Sequence, residues 1–251
     1  MKAKLPAAFA VTALLLVWQM VCWADLVPSF MLPSPVQVAK AFWDERYVLL
    51  EHSVITLGEA LLGLALGVTI GCVFAVVMDR FAVVQRAVYP VLLLTQTVPT
   101  VAIAPLLVLW FGYEMTPKVI LVVLTTFFPV TIGLLEGFSG ADRDAVGLLR
   151  SMGANGRQIF RYIKWPSALP QFFSGLRIAA AYCVVGAVIS EWLGGFGGLG
   201  VYMTRVKKAF AFDKMFAVIF LISAISLGLM ALVGLAQRLC MPYRKHDKTE
   251  R

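Results

Sequence analysis

The feature that most constrains the fold is a set of six long apolar runs without a charged residue. A helix needs about 20 residues to cross the hydrocarbon core of a bilayer. Five of the six runs approach or exceed that length, and the fifth in order, 178–190, must borrow residues from its flanks. We therefore predict one all-α integral membrane domain, 1–251, with six transmembrane helices. Their predicted bounds are 5–24, 55–78, 88–112, 118–137, 171–191 and 215–237.

The overall composition argues against a soluble protein. Hydrophobic residues make up 60% of the chain and charged residues 14%, with a mean hydropathy of +0.84. The first run, 5–24, follows two lysines, as the core of a signal peptide would, but it is longer than the roughly 7–15 residues of such a core. We expect it to remain as the first helix. The four cysteines lie in or beside apolar segments without metal-ligand spacing, so we expect no metal site.

The distribution of basic residues predicts the orientation in the membrane. With the N-terminus inside, the segments 1–4, 79–87, 138–170 and 238–251 hold 14 Lys or Arg, against seven in the segments on the other side. Positive charge accumulates on the cytoplasmic side of membrane proteins. We therefore expect both termini and the 138–170 segment in the cytoplasm. The net charge of +8 is mostly this topology signal, and a nucleic-acid partner has little support.

The third predicted span is interrupted by polar residues and prolines. Gln96 and Thr97 lie in the middle of it, and Pro99 removes the backbone donor that would pair with the carbonyl of Thr95. Freed carbonyls and polar side chains within a bilayer need protein or water as partners. Gln96, Thr97 and Pro99 are therefore candidates to line a solute pathway, and hydrogen bonding between helices is an equal alternative for Gln96.

Three ionisable residues lie closest to the apolar runs: Glu59, Arg177 and Glu191. Such groups are candidates for function when they lie inside a membrane. All three fall near predicted span ends, however, where a side chain reaches the interface cheaply, so we interpret them mainly as anchors. Glu191 and Trp192 precede a segment with five glycines between 194 and 200, and they are candidates for an outer gate.

A stripe of small residues runs along the second span at four-residue spacing, comprising Gly63, Gly67 and Gly71. Such stripes allow helix backbones to approach closely within lipid. We favour packing within the chain over a dimer contact.

The 138–170 segment is polar yet patterned like two short helices. Its first part begins with a potential N-cap at Asp142 or Asp144 and ends at Gly153. Asn155 and the next glycine form a turn, and a second apolar stripe follows until Trp165 and Pro166, where we expect the helix to stop. A loop that only joins two spans would be shorter and less patterned.

This segment resembles the cytoplasmic loop of ABC-importer permeases. In that family a Glu-Ala-Ala start is followed by three residues, Gly, nine residues and Ile-x-Leu-Pro. The spacing from Gly153 to the Ile-Lys-Trp-Pro of 163–166 matches, whereas Gly-Leu-Leu at 147–149 replaces the acidic start and Trp165 replaces the leucine. Further segments resemble permeases for nitrate, sulfonate, taurine and thiamine pyrimidine precursors. They are Phe-Met-Leu-Pro-Ser-Pro at 30–35, Thr-Leu-Gly-Glu at 56–59, the run from Val98 to Leu106, Phe-Pro-Val at 128–130 and Gly-Gly-Leu-Gly at 197–200.

The resemblance implies a type I ABC importer permease fold whose loop forms cytoplasmic coupling helices. It implies a bacterial inner-membrane machine with a second permease copy, an ATPase subunit dimer inside and a periplasmic or lipoprotein solute-binding protein outside. Ser-Glu-Trp-Leu-Gly at 190–194 and Val-Tyr-Met-Thr-Arg at 201–205 are most similar to the pyrimidine-precursor branch. The residues that it places in contact with the ATPase are Arg150, Ser151, Met152, Gly153, Ala154, Asn155, Ile163 and Pro166.

Other functions remain as alternatives. The same machine could import nitrate, sulfonate or taurine, or riboflavin, and a receptor-gated channel would also explain the spans. The basic residues Arg205, Lys207 and Lys208 suit either an anionic solute or an acidic receptor surface. The chain has no G-x-x-x-x-G-K-[ST] motif and no polar catalytic set within its spans, so we expect no enzymatic activity, catalytic residue or cofactor in it, with ATP bound by the partner.

Overall fold

A computed structural model of the chain describes residues 5–24, 27–28 and 31–241. The predicted cytoplasmic termini at 1–4 and 242–251 lie outside the described residues, as does Phe30. The described residues form helices and connecting turns without a β-strand. The helices are α1 Leu5–Trp23, α2 Pro35–Asp44, α3 Arg46–Arg80, α4 Ala82–Thr97, α5 Thr100–Phe111, α6 Met115–Ser139, α7 Arg143–Ser151, α8 Gly156–Ile159, the π-helical turn Phe160–Lys164, α9 Trp165–Leu193, α10 Leu199–Lys208 and α11 Phe212–Cys240.

The described chain has four helices that are long and apolar enough to span a bilayer: α3, α6, α11 and the continuous helix Gly156–Leu193. The bent pair α4–α5 makes a fifth if it counts as one span. The apolar stretch of α1, Phe9–Trp23, is shorter than a full span. The predicted all-α membrane fold is confirmed, and the count of six transmembrane helices stays a prediction.

The third predicted span is not a single helix. Its two halves, α4 and α5, meet at an angle of 95°. Val98, the residue before Pro99, is extended with φ −81° and ψ 120°, because the proline ring disfavours helical geometry in the preceding residue. The hydroxyls of Thr95 and Thr97 donate to the carbonyls of Leu92 and Leu94 at 2.7 and 2.8 Å, which satisfies acceptors near the break.

The core lies where α3, α6 and α9 pack together. The glycine stripe of α3 faces α6: a Cβ on Gly63 would lie 2.5 Å from Val122, and one on Gly67 would lie 2.1 Å from the hydroxyl of Thr126. The predicted packing of this stripe within the chain is therefore confirmed. On the other side of α6, a Cβ on Gly175 would lie 2.3 Å from the carbonyl of Pro129. Glycine thus permits backbone contact on both sides of α6.

The predicted end of a helix at Trp165 and Pro166 is wrong. The chain from Gly156 runs through a π-helical turn into α9, so that Gly156–Leu193 is one helix of 38 residues. The N–H of Trp165 donates to the carbonyl of Phe160, and this wider turn accommodates the ring of Pro166, which would collide with a carbonyl in a regular helix. The helix therefore joins the 138–170 segment directly to the far end of the membrane domain.

Candidate functional site: a polar groove between two ends of the bundle

A groove opens on the surface formed by α4, α5, α6 and α9. It consists of two neighbouring cavities of about 330 and 350 Å³ that share Gln96, Pro129 and Tyr182. The break between α4 and α5 lies at its wall, because the first cavity also contacts Val98 and Thr100. Pro129 lies within α6 and Tyr182 within α9. The groove is therefore built by the broken span and two of the long helices.

The polar side chains of the groove are unusual for their position within apolar helices. Those with a polar group are Thr95, Gln96, Thr100, Thr125, Glu136, Gln171, Ser174 and Tyr182. Gln96, Gln171 and Ser174 are exposed, and Tyr182 is 53% exposed. Lipid cannot satisfy these donors and acceptors, so this face contacts water or another protein surface. Thr97 and Pro99 lie at the adjacent break, outside the lining of the two cavities.

The segment 142–156 forms an exposed tip at one end of the bundle. The carboxylate of Asp142 accepts from the N–H groups of Asp144 and Ala145 and caps α7, which agrees with one of the two predicted N-caps. Gly153 has φ +84°, a conformation that favours glycine, and it terminates the turn after α7. Met152 at this tip is 76% exposed. The tip therefore ends in an exposed apolar side chain and in a turn whose conformation favours glycine.

The other predicted contact residues divide between this tip and the long helix. Ser151 ends α7, and Asn155 caps α8 with its side-chain oxygen. Ile163 lies in the π-helical turn and Pro166 in the first turn of α9.

Arg150 lines a cleft of about 580 Å³ between the end of α3 and the tip. The cleft is also lined by Arg80, Arg157 and the ion pair of Lys164 with Asp79, whose nitrogen and oxygen atoms are 2.6 Å apart. We call this the basic cleft.

A buried cluster of polar residues lies at the opposite end of the bundle. Lys118 donates to Oε1 of Glu59 at 2.6 Å, and Thr56 donates to Oε1 of Glu191 at 2.8 Å. The exposures of Glu59, Lys118 and Glu191 are 4%, 5% and 1%. We call these residues, with His52, the carboxylate cluster. Oε2 of Glu59 has no hydrogen-bond partner within the described part of the chain.

The carboxylate cluster holds the glycine-rich turn between α9 and α10. The backbone N–H of Gly200 donates to Oε2 of Glu191 at 2.6 Å, and that of Gly198 donates to Nδ1 of His52 at 3.0 Å. Gly198 has φ +112°, and a Cβ there would lie 2.2 Å from Glu191. Tyr202 of α10 packs on His52 with ring centroids 5.4 Å apart, and burial raises the pKa of Tyr202 to about 12.

The interpretation of Glu59 and Glu191 as interfacial anchors is wrong, because both are buried within the protein. Lys118 is one of the seven basic residues predicted to lie on the side opposite the cytoplasm, and it too is buried, as the partner of Glu59. Arg177 is exposed, and its guanidinium donates to the side chain of Gln237 on α11. Of the gate candidates, Glu191 faces the cluster and Trp192 is 46% exposed, and neither lines the groove.

Comparison with known proteins identifies the family. The model for the binding-protein-dependent transport system inner membrane component matches residues 67–240. The chain belongs to this family. It is 38% identical over 217 residues to the formylaminopyrimidine transport permease protein ThiX of Halalkalibacterium halodurans, which covers 86% of this chain and 87% of that protein. The chain is therefore an ABC importer permease subunit, a membrane transport component rather than an enzyme.

Other relatives of the permease are named for the transport of different solutes. It is 35% identical to the riboflavin transport system permease protein RibX of Chloroflexus aurantiacus, over 90% of this chain and 85% of that protein. It is 30% identical to the taurine transport system permease protein TauC of Escherichia coli, over 87% of this chain and 84% of that protein. Among solved structures, the MetNI methionine ABC transporter matches with a TM-score of 0.68 at 16% identity, covering 78% of this chain and 97% of that one. That match confirms the type I importer permease fold.

Proposed function

We propose that this permease forms, as a homodimer, the solute pathway of an ATP-driven importer and that its cargo is a thiamine pyrimidine precursor. The observation that carries the pathway is the groove, in which Gln96, Gln171 and Ser174 are exposed although they lie in apolar helices. A second copy placed against this face would enclose the two grooves in one polar passage. One subunit alone leaves the passage open on one side, which favours the dimer.

The tip and the basic cleft support coupling to a separate ATPase subunit. The tip presents Met152 and a glycine turn that no element of the described chain covers, and the basic cleft beside it suits an acidic protein surface. The cleft is bounded by Gly156, where the 38-residue helix begins. At about 1.5 Å per residue this helix spans about 57 Å, so it gives a displacement at the tip a continuous path toward the carboxylate cluster. ATP is bound and hydrolysed by the partner in this account.

The orientation of the permease and its partner on the outer side are part of the same proposal. The tip faces the cytoplasm of a bacterial cell, in agreement with the excess of Lys and Arg at 138–170, and both termini lie on that side. The opposite end, with the glycine-rich turn and the basic residues of α10, receives a periplasmic or lipoprotein solute-binding protein. His52 and Thr56 connect α3 to this turn, because they accept from the backbone N–H groups of Gly198 and Leu199, so docking there reaches the core directly.

The cargo is inferred from relatives of similar length. The formylaminopyrimidine permease ThiX has 38% identity, against 35% for the riboflavin permease RibX and 30% for the taurine permease TauC. These values favour a pyrimidine precursor and leave riboflavin as the second candidate.

Co-purification with the ATPase tests the coupling surface. The variant Gly153→Asp places a charged side chain at φ +84° on the tip, so we expect at least a tenfold loss of co-purified ATPase subunit while the permease still inserts. Ser139→Asp adds the same charge at the end of α6, outside the tip, and is expected to retain the ATPase. Equal recovery of the ATPase with Gly153→Asp and with the wild-type permease would show that the tip is not the contact.

A further inference from the structure

The charge of the groove bears on which solutes can pass through it. The permease has 22 Lys and Arg residues, yet none of the described residues that line the two cavities is Lys or Arg. The one ionisable acid among them is Glu136, which is exposed and has no ion-pair partner within the described part of the chain. The groove therefore carries a net negative charge in a protein that is positive overall.

The helix ends near the groove do not reverse this sign. Glu136 lies in the last turn of α6, where the carbonyl end of the helix adds negative potential. At the break, the carbonyl end of α4 and the amide end of α5 meet, so their opposite potentials largely offset each other. The nearest basic side chain on α9, Arg177, donates to Gln237 on α11 instead of lining the groove.

The uncharged groups of the groove suit a flat polar ring. Gln96 and Gln171 each offer both a donor and an acceptor, as the edge of an aminopyrimidine requires. Tyr182 and Phe128 supply aromatic surface at the same place. An anion would find no cation among the described lining residues, and it would meet the carboxylate of Glu136.

We infer that the groove passes neutral or cationic polar solutes, heteroaromatic rings included, and disfavours anions such as sulfonates, nitrate or bicarbonate. This inference rests on the proposed function, because it assigns the groove to the pathway. In a homodimer the second copy contributes the same lining, so the negative charge of the passage is doubled and its sign is unchanged. The basic residues Arg205, Lys207 and Lys208 lie on α10 at the end of the bundle and do not line the groove.

Charged thiol reagents measure this potential directly. The reporter is Gln96→Cys, made in a permease whose Cys22, Cys72, Cys183 and Cys240 are replaced by Ala. Its thiol is allowed to react either with the cationic trimethylammonium-ethyl methanethiosulfonate or with the anionic sulfonatoethyl methanethiosulfonate. Each rate is divided by the rate of the same reagent with free 2-mercaptoethanol. We expect the cationic reagent to be favoured about tenfold, since a cleft of one charge sign concentrates the opposite ion. Ser174→Cys serves as a second reporter.

The matched control adds Glu136→Gln to the Gln96→Cys permease, and the preference for the cationic reagent should then fall to within about threefold. Equal or faster reaction of the anionic reagent would overturn the inference while leaving the groove as a wet pathway. If neither reagent reacts at Gln96→Cys or Ser174→Cys until the protein is unfolded, the groove is closed to water. That result would overturn both the inference and the pathway of the proposed function.

Discussion

At the scale of single residues, the carboxylate cluster is the feature that was not predicted from the sequence. His52, Thr56 and Glu59 recur at four- and three-residue spacing on one face of α3, a signal that could have indicated a buried polar stripe. Their partners could not be predicted, because Lys118 is 59 positions from Glu59 and Thr56 is 135 positions from Glu191. Such pairs depend on helix packing rather than on local pattern.

The ion pair between Lys118 and Glu59 predicts a specific pattern of stability. Lys118→Met removes the partner of a carboxylate that is only 4% exposed, so we expect a loss of about 3–5 kcal/mol. Thermal unfolding of the permease in detergent measures it. The double variant Glu59→Gln/Lys118→Met leaves no unpaired charge and should recover most of the loss. Lys207→Met, on the exposed face of α10, is the neutral control. A double variant less stable than Lys118→Met alone would contradict this account of the pair.

At the scale of helices, the sequence predicted positions better than shapes. The spans around 55–78, 118–137 and 215–237 fall within α3, α6 and α11, because long apolar runs specify membrane helices directly. The prolines did not predict the shapes of the helices equally well. Pro99 breaks a span by 95°, whereas Pro166 is accommodated in a helix by a π-helical turn. The outcome depends on which neighbours satisfy the freed carbonyls, and the sequence does not specify those neighbours.

The packing of α3 on α6 predicts the effect of adding one methyl group. Gly67→Ala would place a Cβ 2.1 Å from the hydroxyl of Thr126, so either this hydroxyl leaves the carbonyl of Val122 or the helices separate, at a cost of about 1–3 kcal/mol. Gly58→Ala lies on the same helix with no atom within 4 Å, and it should be neutral or stabilising by up to about 1 kcal/mol. Thermal unfolding of the two variants compares them. Equal stability would show that this contact is not close in the folded protein.

At the scale of the whole molecule, the permease has two ends with different chemistry and a polar groove between them. The tip and basic cleft lie at one end, and the carboxylate cluster with the glycine-rich turn lies at the other. One helix, Gly156–Leu193, connects them. The sequence predicted the tip and the place of Gln96, because motif spacing and polar residues in an apolar run are local signals. It did not predict the continuous connection, which depends on Pro166 being tolerated within the helix.

Coupling of ATP hydrolysis to solute import through the tip is tested by uptake with the purified permease and its ATPase partner in proteoliposomes, with ATP enclosed on the ATPase side. Labelled formylaminopyrimidine is supplied with the binding protein on the opposite side, and an excess of unlabelled taurine is the competitor. We predict ATP-dependent accumulation by the wild-type permease, loss of more than about tenfold with Gly153→Asp, and no competition by taurine. Accumulation without ATP, or at the wild-type rate with Gly153→Asp, would show that the tip does not couple ATP hydrolysis to import.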